Sequence, residues 1–189
     1  QLAQKHIDRI ILNAGISVGH SGGITPFEDF HRLFQTNFLS VHALLEPIIP
    51  KLIEQKSGEI IFISSLASLM SMPTSVAYSS SKRALNAYAE GLRYQLRAYG
   101  IEVMNILPGF IDSEMTQKNR FKMPFLLTTD AGVKRIMGAI ALIHTCRCRR
   151  ILTVHSRWLW MASKKPEEKI VFDNNATVQT VLCSTFVRS

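Results

Sequence analysis

The chain has 189 residues, 47% of them apolar, enough for one domain around a single core and short for two. No run approaches the roughly 18 uninterrupted apolar residues of a membrane span. The formal net charge of +8 is uneven, +3 over residues 1–145 and +5 over 146–189, and no aromatic residues interleave with the basic ones, so a solvated basic tail is expected rather than a nucleic-acid surface.

In chain order, Ile7 to Leu12 is a short apolar run ended by Asn13-Ala14-Gly15, the pattern of a buried strand meeting a turn. A polar, glycine-rich loop follows through Gly23. Thr25-Pro26-Phe27-Glu28 predicts a helix start, with Thr25 as N-cap and Pro26 at the first helical position. Phe27, Phe30, Phe34, Phe38, Val41, Leu45, Ile48 and Leu52 then recur every three or four residues as one apolar face, and Pro47 and Pro50 must kink or shorten its end.

Beyond Ser57-Gly58, Glu59 to Ile63 reads as a second buried strand. A second helix is predicted from near Ser75 to Tyr99, with Gly100 as its C-cap. Ile101 to Leu107 forms a third strand stopped by Pro108-Gly109. Thr128 or Thr129 caps a third helix to about Ala141, and Arg150 to Val154 is a candidate fourth strand. Strands apolar on both faces alternating with helices predict a parallel sheet covered by helices on both sides. The fold class is therefore α/β, a three-layer sandwich.

Ligands of open parallel sheets sit at the carboxyl ends of the strands. Those ends carry Asn13-Ala14-Gly15, Ser64-Ser65 and Pro108-Gly109. Tyr78 and Lys82, four apart near the start of the second helix, lie one turn apart on one side. An ammonium beside a phenol favours the phenolate, pulling the pKa down from about 10 and fitting the phenol for proton exchange with an alcohol or carbonyl oxygen. Of the four tyrosines, only Tyr78 has Lys at the fourth position beyond it.

Taken together, these motifs resemble the short-chain dehydrogenase/reductase family. That family has Asn-Ala-Gly after a strand, an Asn in the next helix, a Ser after the next strand, Tyr-x-x-x-Lys thirteen residues beyond that Ser, and Pro-Gly closing the following strand. Here they fall on Asn13-Ala14-Gly15, Asn37, Ser65, Tyr78, Lys82 and Pro108-Gly109, over about residues 5–141.

The resemblance implies a Rossmann-like fold and hydride transfer between NAD or NADP and a secondary alcohol or ketone. It makes Tyr78 the general acid/base and Ser65, rather than its neighbour Ser64, the group that hydrogen-bonds the substrate oxygen. Lys82 would lower the Tyr78 pKa and hold the nicotinamide ribose, while Asn37 would position a water linking Lys82 to solvent. Asn13, Ala14 and Gly15 would line the adenosine side. Pro108 and Gly109, the backbone of Ile111 and the hydroxyl of Ser113 would hold the carboxamide. The two long helices resemble those of the family's dimer interface, which implies a homodimer or homotetramer.

The glycine-rich dinucleotide turn that should precede Asn13 is not in this sequence. Gly15-Ile-Ser-Val-Gly19 imitates it, but has Ser21 where a third glycine belongs and lies behind the wrong strand. The expectation is an N-terminally truncated chain, the C-terminal half of the doubly wound fold without its first βαβαβ half, and a bare apolar edge on the first strand. The competing class is a non-catalytic fragment that keeps the fold as an interaction module.

Residues 1–145 are expected to be the catalytic part and 146–189 a divergent basic tail. Cys146, Cys148 and Cys183 suit neither a disulfide framework nor a zinc site, so no metal and a reducing cytoplasm are expected. Trp158 to Met161 are expected to pack on the domain rather than cover the substrate cleft or touch a membrane. Between Glu114 and Leu127, the apolar run Met123-Pro124-Phe125-Leu126-Leu127 is costly to expose. Folded over the cleft it implies a hydrophobic carbonyl or alcohol substrate, and packing on the third helix is the alternative.

Overall fold

The computed structural model of the protein describes residues 6–18, 24–71, 73–117 and 123–143, with two short strands at 152–153 and 179–180. The chain divides into two compact units, residues 1–105 and 106–189. Gly19, Ser21, the three cysteines, Trp158 to Met161 and the basic side chains of the tail lie outside the described residues.

The first unit is built on β1 (Arg9–Leu12), β2 (Gly58–Ile63) and most of β3 (Ile101–Leu107), in that spatial order. β1 runs parallel to β2, from Arg9 opposite Glu59 to Leu12 opposite Phe62. The first of these pairs is also an ion pair, Arg9 Nε to Glu59 Oε2 at 2.6 Å. β2 is buried from Ile60 to Ile63 and β3 from Val103 onward, as continuous apolar strands between helical layers should be. β1 is less covered, as the bare apolar edge expected for the first strand requires. It is the edge strand, and Ile11 is 44% exposed.

The long helix predicted after Pro26 is several pieces: α1 (Phe27–Phe34), a π-helical turn (Gln35–Leu39), α2 (Ser40–Leu45) and α3 (Ile49–Gln55). Pro26, not Thr25, occupies the N-cap, and no side chain caps this end. Pro50 sits in the first turn of α3, where its missing N–H costs no helical bond. The buried stripe also differs from the predicted face. It runs through Leu33, Asn37, Val41 and Leu45 in steps of four, while Phe27 and Phe30 are exposed and stack on His31 and Phe34. The wider π turn explains the difference: it absorbs one extra residue, so the face upstream of it is rotated relative to an uninterrupted 3.6-residue repeat.

α4 (Val76–Leu96), extended by a 3-10 turn (Arg97–Tyr99), packs Leu85, Ala89, Leu92 and Leu96 against Leu12, Val41, Leu45, Leu52, Ile60 and Phe62. Gly100 ends it with φ 73°, the left-handed conformation expected of a C-cap.

In the second unit, Ile106 and Leu107 at the end of β3 pair in parallel with β4 (Leu152–Thr153). β5 (Gln179–Thr180) adds an antiparallel edge, in a stretch that shows no strand signal in sequence. α5 (Glu114–Gln117) and α6 (Thr129–Ile143) complete the unit, and the Thr128 hydroxyl accepts from Ala131 N at 3.3 Å at the start of α6.

The Gly100 turn also carries a steric constraint. A Cβ built there would lie 2.6 Å from the Lys56 carbonyl oxygen, on a backbone with positive φ. Gly100→Ala should therefore destabilise the fold by on the order of 2 kcal/mol. A urea midpoint unchanged from the wild type would contradict this account of the turn.

Candidate active site

β2 ends at Ile63, and the chain leaves the sheet through Ser64 and Ser65 into a short 3-10 turn (Leu66–Ser68). The two serines then part company. Ser64 is buried, and its hydroxyl donates to Asn86 Oδ1 at 2.6 Å, inside α4. Ser65 is extended, with φ −163° and ψ 153°, and its hydroxyl oxygen accepts Ala67 N at 3.2 Å. That hydroxyl is hydrogen-bonded to the phenol of Tyr78, so of the two serines it is Ser65 that the structure brings to the tyrosine.

Tyr78 and Lys82 lie one turn apart in α4, and Lys82 Nζ stands 6.0 Å from the centre of the Tyr78 ring. Lys82 is 4% exposed and donates to the carbonyl of Ile63 at 2.9 Å. Burial strips water from the ammonium and lowers its pKa from 10.5 to about 8. For Tyr78 the balance differs from the sequence expectation. Burial raises the phenol above its ordinary value, and the hydrogen bond from Ser65 recovers only part of that rise. With Lys82 six ångströms from the ring, desolvation outweighs charge.

Asn37 is fully buried in the π turn, not an exposed helix residue. Its carboxamide grips the backbone of Ile16 at both ends: Ile16 N donates to Oδ1 at 2.7 Å, and Nδ2 donates to Ile16 O at 2.9 Å. Nδ2 also reaches Ser81 Oγ at 3.1 Å, and Ser81 Oγ donates to Tyr78 O at 2.8 Å. The turn after β1 is thereby tied to the helix that carries Tyr78. Gly15 lies between them, where a Cβ would be 3.3 Å from Lys82 Nζ and 3.5 Å from Asn37 Oδ1. A side chain here would need the Lys82 ammonium to give way by a few tenths of an ångström. Asn13 and Ala14, just ahead, are exposed.

The remaining predicted residues belong to the second unit. Pro108 is buried and Gly109 half-buried. Ile111 forms a parallel bridge with Leu127, bonded through Asp112 N to Leu127 O (2.8 Å) and Leu127 N to Phe110 O (3.0 Å), so its own N–H faces away from Leu127. The Ile111 side chain packs on Gly132 of α6. Ser113 opens α5: its carbonyl accepts Thr116 N and Gln117 N at 3.0 Å, and its hydroxyl lies 3.3 Å from Thr116 Oγ1. Phe125 and Leu126 are 40% and 43% exposed.

Sequence reasoning missed Ser81, Ser68 and Asn86. Asn86 is one turn beyond Lys82 on the side already marked by Tyr78, and that spacing was the available signal.

Comparison with known proteins supports the same reading of the motifs. The sequence profile of the short chain dehydrogenase family matches residues 2–124. An "Uncharacterized oxidoreductase" of Myxococcus xanthus is 36% identical over 132 residues, 70% of this chain and 52% of that protein. Human "Dehydrogenase/reductase SDR family member 7" is 33% identical over 114 residues, 60% of this chain and 34% of its own length. The chain thus spans about half of the first relative and a third of the second.

Among solved structures, a gluconate 5-dehydrogenase from Burkholderia cenocepacia, in complex with NADP and tartrate, superposes with a TM-score of 0.73 at 22% identity. The match covers 84% of this chain and 67% of that one. ElxO with NADP bound gives 0.70 at 24% identity, covering 82% and 68%. At these identities the structures speak to the fold alone, which is the Rossmann-like α/β sheet. With the profile matched over most of its length, and with the Asn-Ala-Gly turn, Ser65, Tyr78 and Lys82 gathered in one unit, the chain belongs to the short chain dehydrogenase family.

Proposed function

We propose that the protein is an NAD(P)-dependent oxidoreductase interconverting a secondary alcohol and a ketone, with Tyr78 as its general acid/base. The observation that carries this is the placing of a half-buried, desolvated phenol between a hydroxyl donor, Ser65, and a buried ammonium, Lys82. Among the described residues Lys82 has no carboxylate partner; structural packing alone has no need to bury a lysine in that way, and perturbed groups of this kind gather at functional sites.

The donor set fits a nicotinamide dinucleotide. An ammonium has three donors and Lys82 directs one to Ile63 O, which leaves two for a ribose diol. The exposed Asn13-Ala14 turn and the Gly15 backbone beside Lys82 offer the close approach that a dinucleotide requires. Pro108, Gly109, the N–H of Ile111 and Ser113 are the candidates for the carboxamide. When bound, NAD(P) would supply or accept the hydride.

The chain's own residues do the rest. In reduction the Tyr78 hydroxyl, kept protonated by burial, donates its proton to the carbonyl oxygen. With substrate bound, Ser65 would turn its single hydroxyl hydrogen from the Tyr78 oxygen to that carbonyl oxygen and stabilise the charge developing there. Lys82 holds a positive charge near the phenolate that Tyr78 becomes. Asn37 fixes the turn that carries Gly15, and its carbonyl side would order water next to Lys82.

The substrate we propose is hydrophobic. Leu69, Met70 and Val76, in the segment between Ser65 and Tyr78, are 42%, 38% and 56% exposed. Apolar side chains left open around a polar pair suit an apolar carbonyl compound. For assembly we propose a homodimer or homotetramer through the helices that expose Phe27, Leu39, Leu44 and Tyr94. Light scattering on the full-length protein should give twice or four times the monomer mass, and a monomer at all concentrations would count against this.

In the full-length protein, kcat/KM should be larger on a medium-chain ketone than on a polar sugar. Tyr78→Phe should lower kcat by roughly 100- to 10,000-fold while dinucleotide affinity stays nearly unchanged. Substantial turnover by that variant would remove Tyr78 from the chemistry.

Lys82 permits a test without turnover. Its folded pKa of about 8 is below the 10.5 of an ordinary lysine, so the unfolded chain binds more protons between those values, and stability rises with pH across that window. Below pH 8 the full cost remains, roughly 3 kcal/mol. Lys82→Met should therefore raise the unfolding midpoint at pH 7, even after losing the bond to Ile63 O, and the gain should vanish towards pH 10. A variant less stable than wild type at pH 7 would mean that Lys82 is a structural residue.

A further inference from the structure

The segment that carries Ser65 is held to α4 by a directional chain of hydrogen bonds that begins at Asn86. Asn86 Nδ2 donates to Ser68 Oγ at 2.6 Å, and Ser68 Oγ donates to the carbonyl of Ser65 at 2.6 Å. The far side of the same carboxamide is an acceptor, taking Ser64 Oγ at 2.6 Å and Asn105 Nδ2 at 2.8 Å. Ser64, Ser68 and Asn105 are all at most 4% exposed and Asn86 is half-buried, so one partner of each Asn86 bond is shielded from water and costly to leave unmet.

Direction matters here. A serine hydroxyl has a single hydrogen. Because Asn86 donates to Ser68, the Ser68 hydrogen is left for the Ser65 carbonyl. Ser65 is thus held through its carbonyl by Ser68 and through its hydroxyl oxygen by Ala67 N, which leaves the Ser65 hydroxyl hydrogen for Tyr78. A tie made only to fasten a loop to a helix could end on any backbone group, but this one ends on Ser65 itself.

We infer that Asn86 is a positioning residue, whose amide sets the polarity of the Ser68–Ser65 chain and so aims the Ser65 hydroxyl at Tyr78. The inference rests on the reading of Ser65 and Tyr78 as the reacting pair, and it needs the amide nitrogen specifically. An aspartate has the same shape and keeps both acceptor contacts. It cannot donate to Ser68, however, and its carboxylate would draw the Ser68 hydrogen away from Ser65.

The test is spectroscopic and independent of turnover. The chain is labelled with carbon-13 at the tyrosine ζ carbon, and the Tyr78 signal is assigned by its loss in Tyr78→Phe. Ser65→Ala should displace that signal. Asn86→Asp and Ser68→Ala should each displace it in the same sense, and neither should displace it further when added to Ser65→Ala, because they act through the same hydroxyl. If Asn86→Asp does not fold, Ser68→Ala decides alone.

A Tyr78 signal at the wild-type position in Asn86→Asp and Ser68→Ala would overturn the inference. So would displacements that add to that of Ser65→Ala, or a signal that Ser65→Ala leaves in place. Failure of the activity reading is seen separately: full coupling in these spectra together with an inactive full-length protein would overturn that reading and leave the role of Asn86 intact.

Discussion

The first unit depends on one buried carboxamide. Asn37 holds the backbone of Ile16 by both its donor and its acceptor, and through Ser81 it reaches the first turn of α4. Residues around positions 15, 37 and 80 meet there, and each of the three segments carries part of the candidate site. An amide buried this deeply is stable only if its groups are paired, so the contact is all or nothing. The π turn is the means by which a helix brings Asn37 to that point. One extra residue in the turn places Asn37 in line with Leu33, Val41 and Leu45, so a polar group occupies a position in an otherwise apolar stripe.

Around that anchor the electrostatics are governed by burial more than by charge pairing. The phenol of Tyr78 is raised and the ammonium of Lys82 lowered, each towards its neutral form, because water is excluded from both. Ser65 is the one group that offsets this at Tyr78. Its placement therefore sets how far the rise caused by burial is offset.

Two groups stand out among the exposed apolar side chains. Phe27, Leu39 and Leu44 lie on the early helices, away from the serine–tyrosine pair in sequence, whereas Leu69, Met70 and Val76 lie in the segment between Ser65 and Tyr78. Apolar surface left open in either place exerts the same pull on a partner of apolar character. The proposed partners differ, another copy of the chain for the first set and a substrate for the second.

Local sequence determined the element types, because hydrophobic period, proline and glycine act over a few residues. β2, α4, β3 and the Gly100 cap lie where the pattern puts them, and the motif spacings identified Ser65, Tyr78 and Lys82 as a set. The tertiary structure decided what depends on partners distant in the chain. The seat of Asn37 on Ile16 and the two-sided role of Asn86 rest on contacts between residues 18 or more apart in the chain. The direction of the Tyr78 shift was decided there too: a sequence shows that a lysine is near, but how much water a fold removes from a phenol is a property of the packed structure.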